Sequence, residues 1–519
     1  ANVSGTFGTT FLFAKAGGFG SVNLGFSKSY ERGQFIDMNN DGFVDFVSSN
    51  ASGDIVVHFS KIAKFNMLKR VESSMGNALT ISYKNIPSST TMPQAKWVMD
   101  SLWVFDGLLN DGIDKSLTTF DYQGGRYDRY ERVFMGYDSV FSHSHRENGV
   151  TYRTVIEKYH TNDFLFKGLQ FEKTIKDSLG RVYVKNETDY GKYEIVGGAK
   201  VNEDSASCFG PYYPAIHQEI SSFFEGGTQA ITTRKQYVYG PLGTVVSYSN
   251  HGDTLVPNDN VSAQIAYRND SSAYIIGLPT NINVHNAQNT LLRSRSATYD
   301  VLGRLTNIQV NLGNGLAISD FEYDQFGNVS KMTLPPNGQS QRMYYEYTYD
   351  DTVKTYPVQI VDAYGYVSSA KYEYWRGNIL ESTDMAGNKV KYAYNTIGKL
   401  RTIQGPKEAA NGQPFTLRFS YWDDYAVLFK PFYDDSTRIW ARTEHFDEFN
   451  AGNTISTVLF ADGLGRVVQT KKKSVVNGNE VMVVSGRVKF DEFGRTIEQF
   501  YPTTEPLGTD SLFNPSWHS

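Results

Sequence analysis

Tyr299-Asp300-Val301-Leu302-Gly303-Arg304-Leu305 decides the fold of this chain. An Asp side chain can bond the backbone of a tight turn, Gly supplies the positive φ the turn needs, and apolar alternation resumes beyond it. The heptad therefore reads as strand, turn, strand. It returns as Tyr323-Asp324-Gln325-Phe326-Gly327-Asn328-Val329 and, more loosely, as Tyr394-Asn395-Thr396-Ile397-Gly398-Lys399-Leu400. Two later copies are Ala461-Asp462-Gly463-Leu464-Gly465-Arg466-Val467 and Phe490-Asp491-Glu492-Phe493-Gly494-Arg495-Thr496. Asp300 and Asp324 lie 24 residues apart, within the spacing of solenoids and arrays. Stacked hairpins of this kind predict an all-β chain built as one long sheet.

Composition supports that reading. Tyr 35, Phe 33 and Gly 46 in 519 residues favour broad pleated surfaces broken by turns, with helix a minor element. The formal net charge of −5 provides no basic footprint for nucleic acid. Lys471-Lys472-Lys473 is the one dense cationic run and reads as a solvated strand end. The single cysteine, Cys208, can form no internal disulfide, and a lone thiol is most often buried and inert. No stretch reaches bilayer-spanning length, and Ala1 onward shows no signal-peptide pattern.

Aromatic alternation is plainest in Met343-Tyr344-Tyr345-Glu346-Tyr347-Thr348-Tyr349, where Met343, Tyr345, Tyr347 and Tyr349 share one strand face. Such stripes read as cross-strand packing, each pair contributing about 0.2–1 kcal/mol, rather than as a ligand platform. Three regions emerge: 1–60, the end of a β domain with Gly-rich turns; 61–270, β-rich and dense in Tyr, Phe and Lys; and 271–519, where the repeats dominate.

The sharpest chemical signal is Asp37-Met38-Asn39-Asn40-Asp41-Gly42-Phe43-Val44-Asp45. Asp37, Asn39, Asp41 and Asp45, with the Phe43 carbonyl, place hard oxygens around one point and suit Ca²⁺. The EF-hand alternative fails, because the twelfth position from Asp37 is Ser48 rather than Glu and the flanks read as strands. The expectation is a structural calcium loop within a β-hairpin. Catalytic motifs are missing: no phosphate loop, nucleophile elbow, His-Glu-x-x-His or Cys-x-x-Cys occurs. His143 and His145 would share a strand face, yet two histidines make an incomplete metal site. Asp423-Asp424 and Asp434-Asp435 would point to opposite faces if extended.

In this order, the repeats and the loop resemble the Rhs/YD-repeat proteins, and most closely the B component of Tc-type insecticidal toxin complexes. Asp37 to Asp45 resembles the calcium loop of an FG-GAP/VCBS propeller blade. Tyr122 to Tyr127 and Glu131 to Tyr137 resemble the family's middle-region signature, and Ile276 to Thr280 the start of its YD repeats. Ala441 to His445 and Phe460 to Arg466 with Gln469-Thr470-Lys471 resemble further family phrases. The resemblance implies a β-sheet strip curling into a hollow, non-catalytic shell, secreted by a bacterium and preceded by a β middle region and the end of a propeller. Its implied partners are a toxic C-terminal polypeptide or C-component-like chain inside and a translocation-channel component outside, with no nucleic acid and no membrane span. The family's self-cleaving core is not found after Pro502, so the chain is expected to be the central part of such a protein. A cell-surface adhesion module is the alternative. A carbohydrate-active enzyme would need converging carboxylates that no sequence pattern reveals.

Overall fold

The computed structural model describes residues 3–15, 18–30, 33–50, 52–61, 66–73, 75–109, 111–195, 211–422, 439–448 and 453–516. The described residues are all-β apart from one short helix, Pro406–Ala410. A hairpin pairs Val3–Lys15 with Gly18–Tyr30, and a three-stranded sheet joins Gly33–Ile36, Asp45–Ser49 and Ile55–His58. Nearly everything else belongs to one sheet.

That sheet runs strand by strand, each paired with the next in sequence, from Ser139–His145 to Asn479–Ser485. It continues through Thr503–Glu505 to Arg70–Glu72, Ala78–Ile86, Lys96–Phe105 and Lys115–Gln123, and the last of these pairs with Ser139–His145. The order of 29 strands thus returns to its start. Neighbouring strands lie about 4.8 Å apart, so such a ring is about 140 Å around, far wider than side chains can fill. The sheet is also continuous across residue 270, where Val261–Asp270 pairs with Ile275–Asn286.

Burial shows that the ring has not collapsed into two packed layers. From residue 241 to residue 414 only Asp350 is buried. The chain exposes 32792 Å², against about 19,000 Å² expected of a compact protein of its 58.4 kDa. The wall is one sheet thick and surrounds open volume.

The repeat motif explains how a sheet without a second layer stays ordered. Asp300 Oδ1 accepts the backbone N–H groups of Leu302 and Arg304, both at 2.9 Å, while Oδ2 accepts Arg304 Nε at 2.7 Å. Gly303 sits at φ +80°, as expected of the turn. The preceding Tyr reaches sideways instead: Tyr299 Oη donates to the Pro279 carbonyl, Tyr323 to Leu305, Tyr349 to Val329 and Tyr394 to Ile379, all at 2.8–3.0 Å. Asp therefore closes its own hairpin and Tyr pins the one before it. The stripe through Tyr345, Tyr347 and Tyr349 is half-buried while Glu346 and Thr348 are exposed, as one-faced packing requires. Tyr323→Phe keeps the ring under the Arg304 guanidinium, 4.7 Å away, and removes only the hydroxyl bond. The expected loss is about 1 kcal/mol, read by urea denaturation.

Asp350 is a longer version of the same device. Its carboxylate accepts five backbone N–H groups, from Thr352, Val353, Lys354, Thr355 and Tyr356. Burial alone would raise its pKa, but these donors outweigh burial and hold it well below the usual carboxylate range. A depressed carboxylate contributes stability that is complete above its unfolded pKa, about 4, and is lost as pH falls toward the folded value. Amide exchange at residues 352–356 should therefore accelerate selectively below about pH 4. Asp350→Asn should abolish that acid dependence, because the amide that replaces one oxygen faces N–H donors.

The fifth repeat departs from the expected single strip. Val488–Phe490 and Thr496–Gln499 pair with each other as a separate ribbon outside the large sheet, and Thr503–Glu505 takes the place beside Asn479–Ser485. This ribbon lies across the junction of the ring's early and late strands. Leu108, Trp440, Val458, Phe460, Val468 and Phe490 form the buried apolar cluster there, with Trp422, Val488 and Phe513 against it. Lys471 corrects the expectation of a solvated strand end. It lies within Val467–Val476, is 1% exposed, and donates to Glu505 Oε2 at 2.5 Å and the Thr509 carbonyl at 3.0 Å. The segment after Thr503 covers it, a long-range contact that a run of lysines does not announce.

Candidate functional site

The loop from Asp37 to Val44 connects Gly33–Ile36 to its antiparallel partner Asp45–Ser49, so the expected hairpin setting is present. Asn40 and Gly42 take positive φ, at 61° and 88°, and turn the chain tightly. Asp37 accepts the N–H groups of Asp41 at 3.1 Å and Gly42 at 2.8 Å. Asn39 Oδ1 accepts the Asp41 N–H, and Asp41 Oδ1 accepts that of Phe43. Asp45 is fully buried, its two oxygens receiving Met38 N–H at 2.9 Å and Ser60 N–H at 2.8 Å. The Ser60 bond chiefly holds its pKa below the ordinary value. Asp37, Asn39, Asp41 and Asp45 thus come from a single turn and supply hard oxygens of the kind Ca²⁺ takes, but the carboxylates of Asp37, Asp41 and Asp45 are turned onto backbone N–H groups and do not converge within 4.8 Å of one another. The Asp41 carbonyl takes Asn85 Nδ2 at 2.6 Å and Trp97 Nε1 at 3.1 Å, which docks the loop on the large sheet.

The other sequence candidates resolve differently. His143 Nδ1 lies 3.0 Å from Thr154 Oγ1, and His145 Nε2 lies 2.8 Å from Thr119 Oγ1, so both rings bond neighbouring strands. Cys208, Asp423-Asp424 and Asp434-Asp435 lie outside the described residues.

A second cluster, which no spacing foretold, sits at the seam. Asp106, Asp111 and Asp462 are 3%, 1% and 2% exposed, and one carboxylate oxygen from each lies within 4.8 Å of the others. Arg466 reaches between them, its Nε 2.5 Å from Asp462 Oδ2 and its Nη2 2.8 Å from Asp106 Oδ2 and 3.8 Å from Asp111 Oδ2. Burial raises the Asp106 pKa to about 7, partly offset by the Leu108 N–H and reinforced by the Asp111 charge. Burial likewise raises Asp111 to about 6. Backbone contacts bind the same place: Gly463 N–H donates to the Asp106 carbonyl at 2.6 Å, and Phe490 N–H to the Asp111 carbonyl at 2.8 Å. The available signal was Gly463, an extra glycine inside one repeat. A Cβ there would lie 2.3 Å from Asn77 N and 2.5 Å from the Asp106 oxygen.

Asp-Gly hairpins zipped into a closed wall one sheet thick define a YD-repeat β-shell. Comparison with known proteins shows what the chain is similar to. Residues 20–163 match the family described as the insecticide toxin TcdB middle/N-terminal region. The crystal structure of TcdB2-TccC3-Cdc42 superposes with a TM-score of 0.70 at 12% identity, covering 98% of this chain and 37% of that one. That of TcdB2-TccC3 gives 0.69 at 13% identity, over 96% of this chain and 34% of the other. The Photorhabdus luminescens Tc holotoxin pore bearing TccC3-D651A gives 0.69 at 12%, over 98% and 36%. No curated protein matches the sequence. Residues 20–163 thus resemble the TcdB middle/N-terminal region, the chain shares its fold with these Tc-toxin structures, and it spans little more than a third of the length of the chains it superposes on. Among the described residues no helix is long and apolar enough to cross a membrane.

Proposed function

We propose that this chain forms part of the wall of a secreted bacterial Tc-type toxin shell, a scaffold without catalytic chemistry that encloses a toxic C-terminal polypeptide or a C-component-like chain for delivery through a translocation channel. The observation that carries the reading is the closed, single-layered ring, which shares its fold with TcdB2-TccC3 structures along 96–98% of its length. A closed ring hides strand edges that would otherwise template aggregation, and its width leaves room for cargo. The converging carboxylates at the seam are nearly closed to solvent and braced by Arg466, which suits a structural joint better than a substrate cleft. The test is co-production of the full parent protein with its C-component-like partner, followed by protease digestion. Enclosed cargo should survive at protease levels that destroy it when free. Equal digestion of free and complexed cargo would overturn the reading.

Within the same reading, Asp37, Asn39, Asp41, Asp45 and the Phe43 carbonyl would hold a structural Ca²⁺ that fixes the hairpin turn. Asp41→Ala keeps the carbonyl that meets Trp97 and Asn85 but deletes a ligand. It should weaken calcium binding and speed amide exchange across residues 33–58 while the repeat sheet stays folded. If chelator leaves exchange in that segment unchanged, the loop holds no calcium.

A further inference from the structure

We propose that Asp106, Asp111 and Asp462 form a second divalent-cation site, of the Ca²⁺ class, that locks the seam between the ring's early and late strands. Three observations converge on it. The first is dimensional: one oxygen from each carboxylate lies within 4.8 Å of the others. Oxygens bound to a common Ca²⁺ at about 2.4 Å can be no farther apart than about 4.8 Å.

The second is an orphaned ligand. Asp111 is 1% exposed, and among the described residues no other residue donates a hydrogen bond to either of its carboxylate oxygens, its own backbone N–H being the one donor that acts on it. Its approach to Arg466 Nη2 is 3.8 Å, too long for a hydrogen bond. Buried carboxylates are otherwise paired or bound to metal, because stranding one costs far more than any single contact returns. Asp106 and Asp462, by contrast, are held by Arg466 and by backbone donors: Leu108 N–H on Asp106 Oδ1, and Leu464 and Arg466 N–H on Asp462 Oδ1. The unsatisfied group faces the two that are already positioned.

The third is charge. With all three carboxylates ionised, as ligation would require, one guanidinium leaves two negative charges, the amount a single divalent ion neutralises. Asp114 and Arg487 also act on Asp111 with opposite signs. Arg487 itself is committed to the carbonyls of Asn514 and Ser516. The donors are all oxygen, which favours Ca²⁺ over thiophilic or imidazole-seeking metals. A nearly dry site disfavours Mg²⁺, which retains waters.

The location gives the ion a role. Asp106 and Asp111 belong to the connection between Lys96–Phe105 and Lys115–Gln123, whereas Asp462 follows Thr454–Ala461. An ion there would tie residues 350 positions apart in the chain, roughly the separation of Asp106 from the Arg466 that pairs with it (|i−j| = 360). The inference is independent of the cargo reading and of the Asp37 loop.

The experiment measures bound calcium per folded full-length chain, after dialysis in calcium and then against a weak chelator, for wild type, Asp41→Ala and Asp111→Asn. Asp111→Asn should carry one ion fewer than wild type. Calcium should raise the melting midpoint of Asp41→Ala but not of Asp41→Ala/Asp111→Asn. Equal ion counts in wild type and Asp111→Asn would overturn the site, as would a double variant that responds to calcium as fully as Asp41→Ala. Should the variants misfold, amide exchange on wild type decides: calcium should slow residues 106–114 and 462–466, and no slowing there refutes the site. Parallel arms with Mg²⁺ and Zn²⁺ test the class of ion, and preference for Zn²⁺ would refute the assignment.

Discussion

Arg466→Met is expected to destabilise the seam by about 3–5 kcal/mol, several times the effect of Arg304→Met, although both residues occupy the same place in the same repeat. In the ordinary repeat, Arg304 Nε meets Asp300 Oδ2 at 2.7 Å, with side chains 30% and 21% exposed. Water screens that pair, and its removal should cost under about 1 kcal/mol. At the seam, Asp462 and Asp106 are buried, and the Arg466 guanidinium lies 4.0 Å from the Phe490 ring centroid. Methionine would keep much of the apolar contact and remove the charge, leaving buried carboxylates unbalanced. Breaking one partner of a buried pair costs about 3–5 kcal/mol because the remaining charge stays desolvated. Arg466→Lys should recover part of the loss, since it restores the charge but not the two-pronged geometry. Denaturant titrations of the three variants give the comparison, and equal destabilisation by Arg466→Met and Arg304→Met would show that burial does not set the strength of this motif.

That contrast also marks what was readable in the sequence. The turn is written in adjacent residues: Asp for the backbone donors, Gly for the positive φ, Tyr for the neighbouring carbonyl. Its recurrence made the all-β fold and the hairpin array legible. The same turn hides where Lys176 or Thr383 precedes the Asp: Asp177 accepts the N–H groups of Leu179 and Arg181, and Asp384 those of Ala386 and Asn388. The middle region is therefore built with the same turn as the repeats. The hairpin around Asp37 was legible for the same local reason, since Gly33–Ile36 and Asp45–Ser49 flank one short loop. The seam was not, because Asp106 and Asp462 meet only after the ring closes, and sequence spacing carries no record of closure. Lys471 escapes a local reading for that reason too: three adjacent lysines resemble a solvated run until Glu505 and Thr509 arrive from a segment more than thirty residues on.

A wall one sheet thick has an unusual distribution of stability. Each hairpin is held by its turn, its neighbours and its Tyr, so damage in one repeat should stay local, as in other quasi-one-dimensional arrays. Closure is different, because it depends on a few contacts between distant parts of the chain. Thr503–Glu505 and Arg70–Glu72, the neighbouring strands at the join, are only three residues long each. The ribbon around Phe490 reinforces it, with Tyr152 packed edge-on against Phe493 at 5.1 Å and Arg146 Nε 3.0 Å from Glu492 Oε1. The weak point of the shell is the seam, and that is where buried charge and apolar core are concentrated.

Gly112→Ala should therefore open the seam while leaving most of the wall intact. Gly112 takes φ +126° and forms a parallel bridge to Phe490. A Cβ at this position would lie 2.1 Å from the Phe490 oxygen and 2.6 Å from its nitrogen, both backbone atoms that cannot swing aside. The substitution combines a conformation L-residues avoid with overpacking against main chain, each worth about 1–3 kcal/mol, so the expected loss is about 2–6 kcal/mol. Relief requires moving Phe490 away, which breaks Phe490 N–H to the Asp111 carbonyl and Ile113 N–H to the Phe490 carbonyl and uncovers the core around Leu108 and Phe460. Gly313 is the control: it also has positive φ, at +83°, but open space around it, so Gly313→Ala bears the conformational cost alone. Limited proteolysis should cut Gly112→Ala first near residues 486–500, with amide protection across residues 241–414 unchanged. Uniform loss of protection around the whole ring would mean that closure and hairpin stability are one cooperative unit, and the seam would then not be a separable latch.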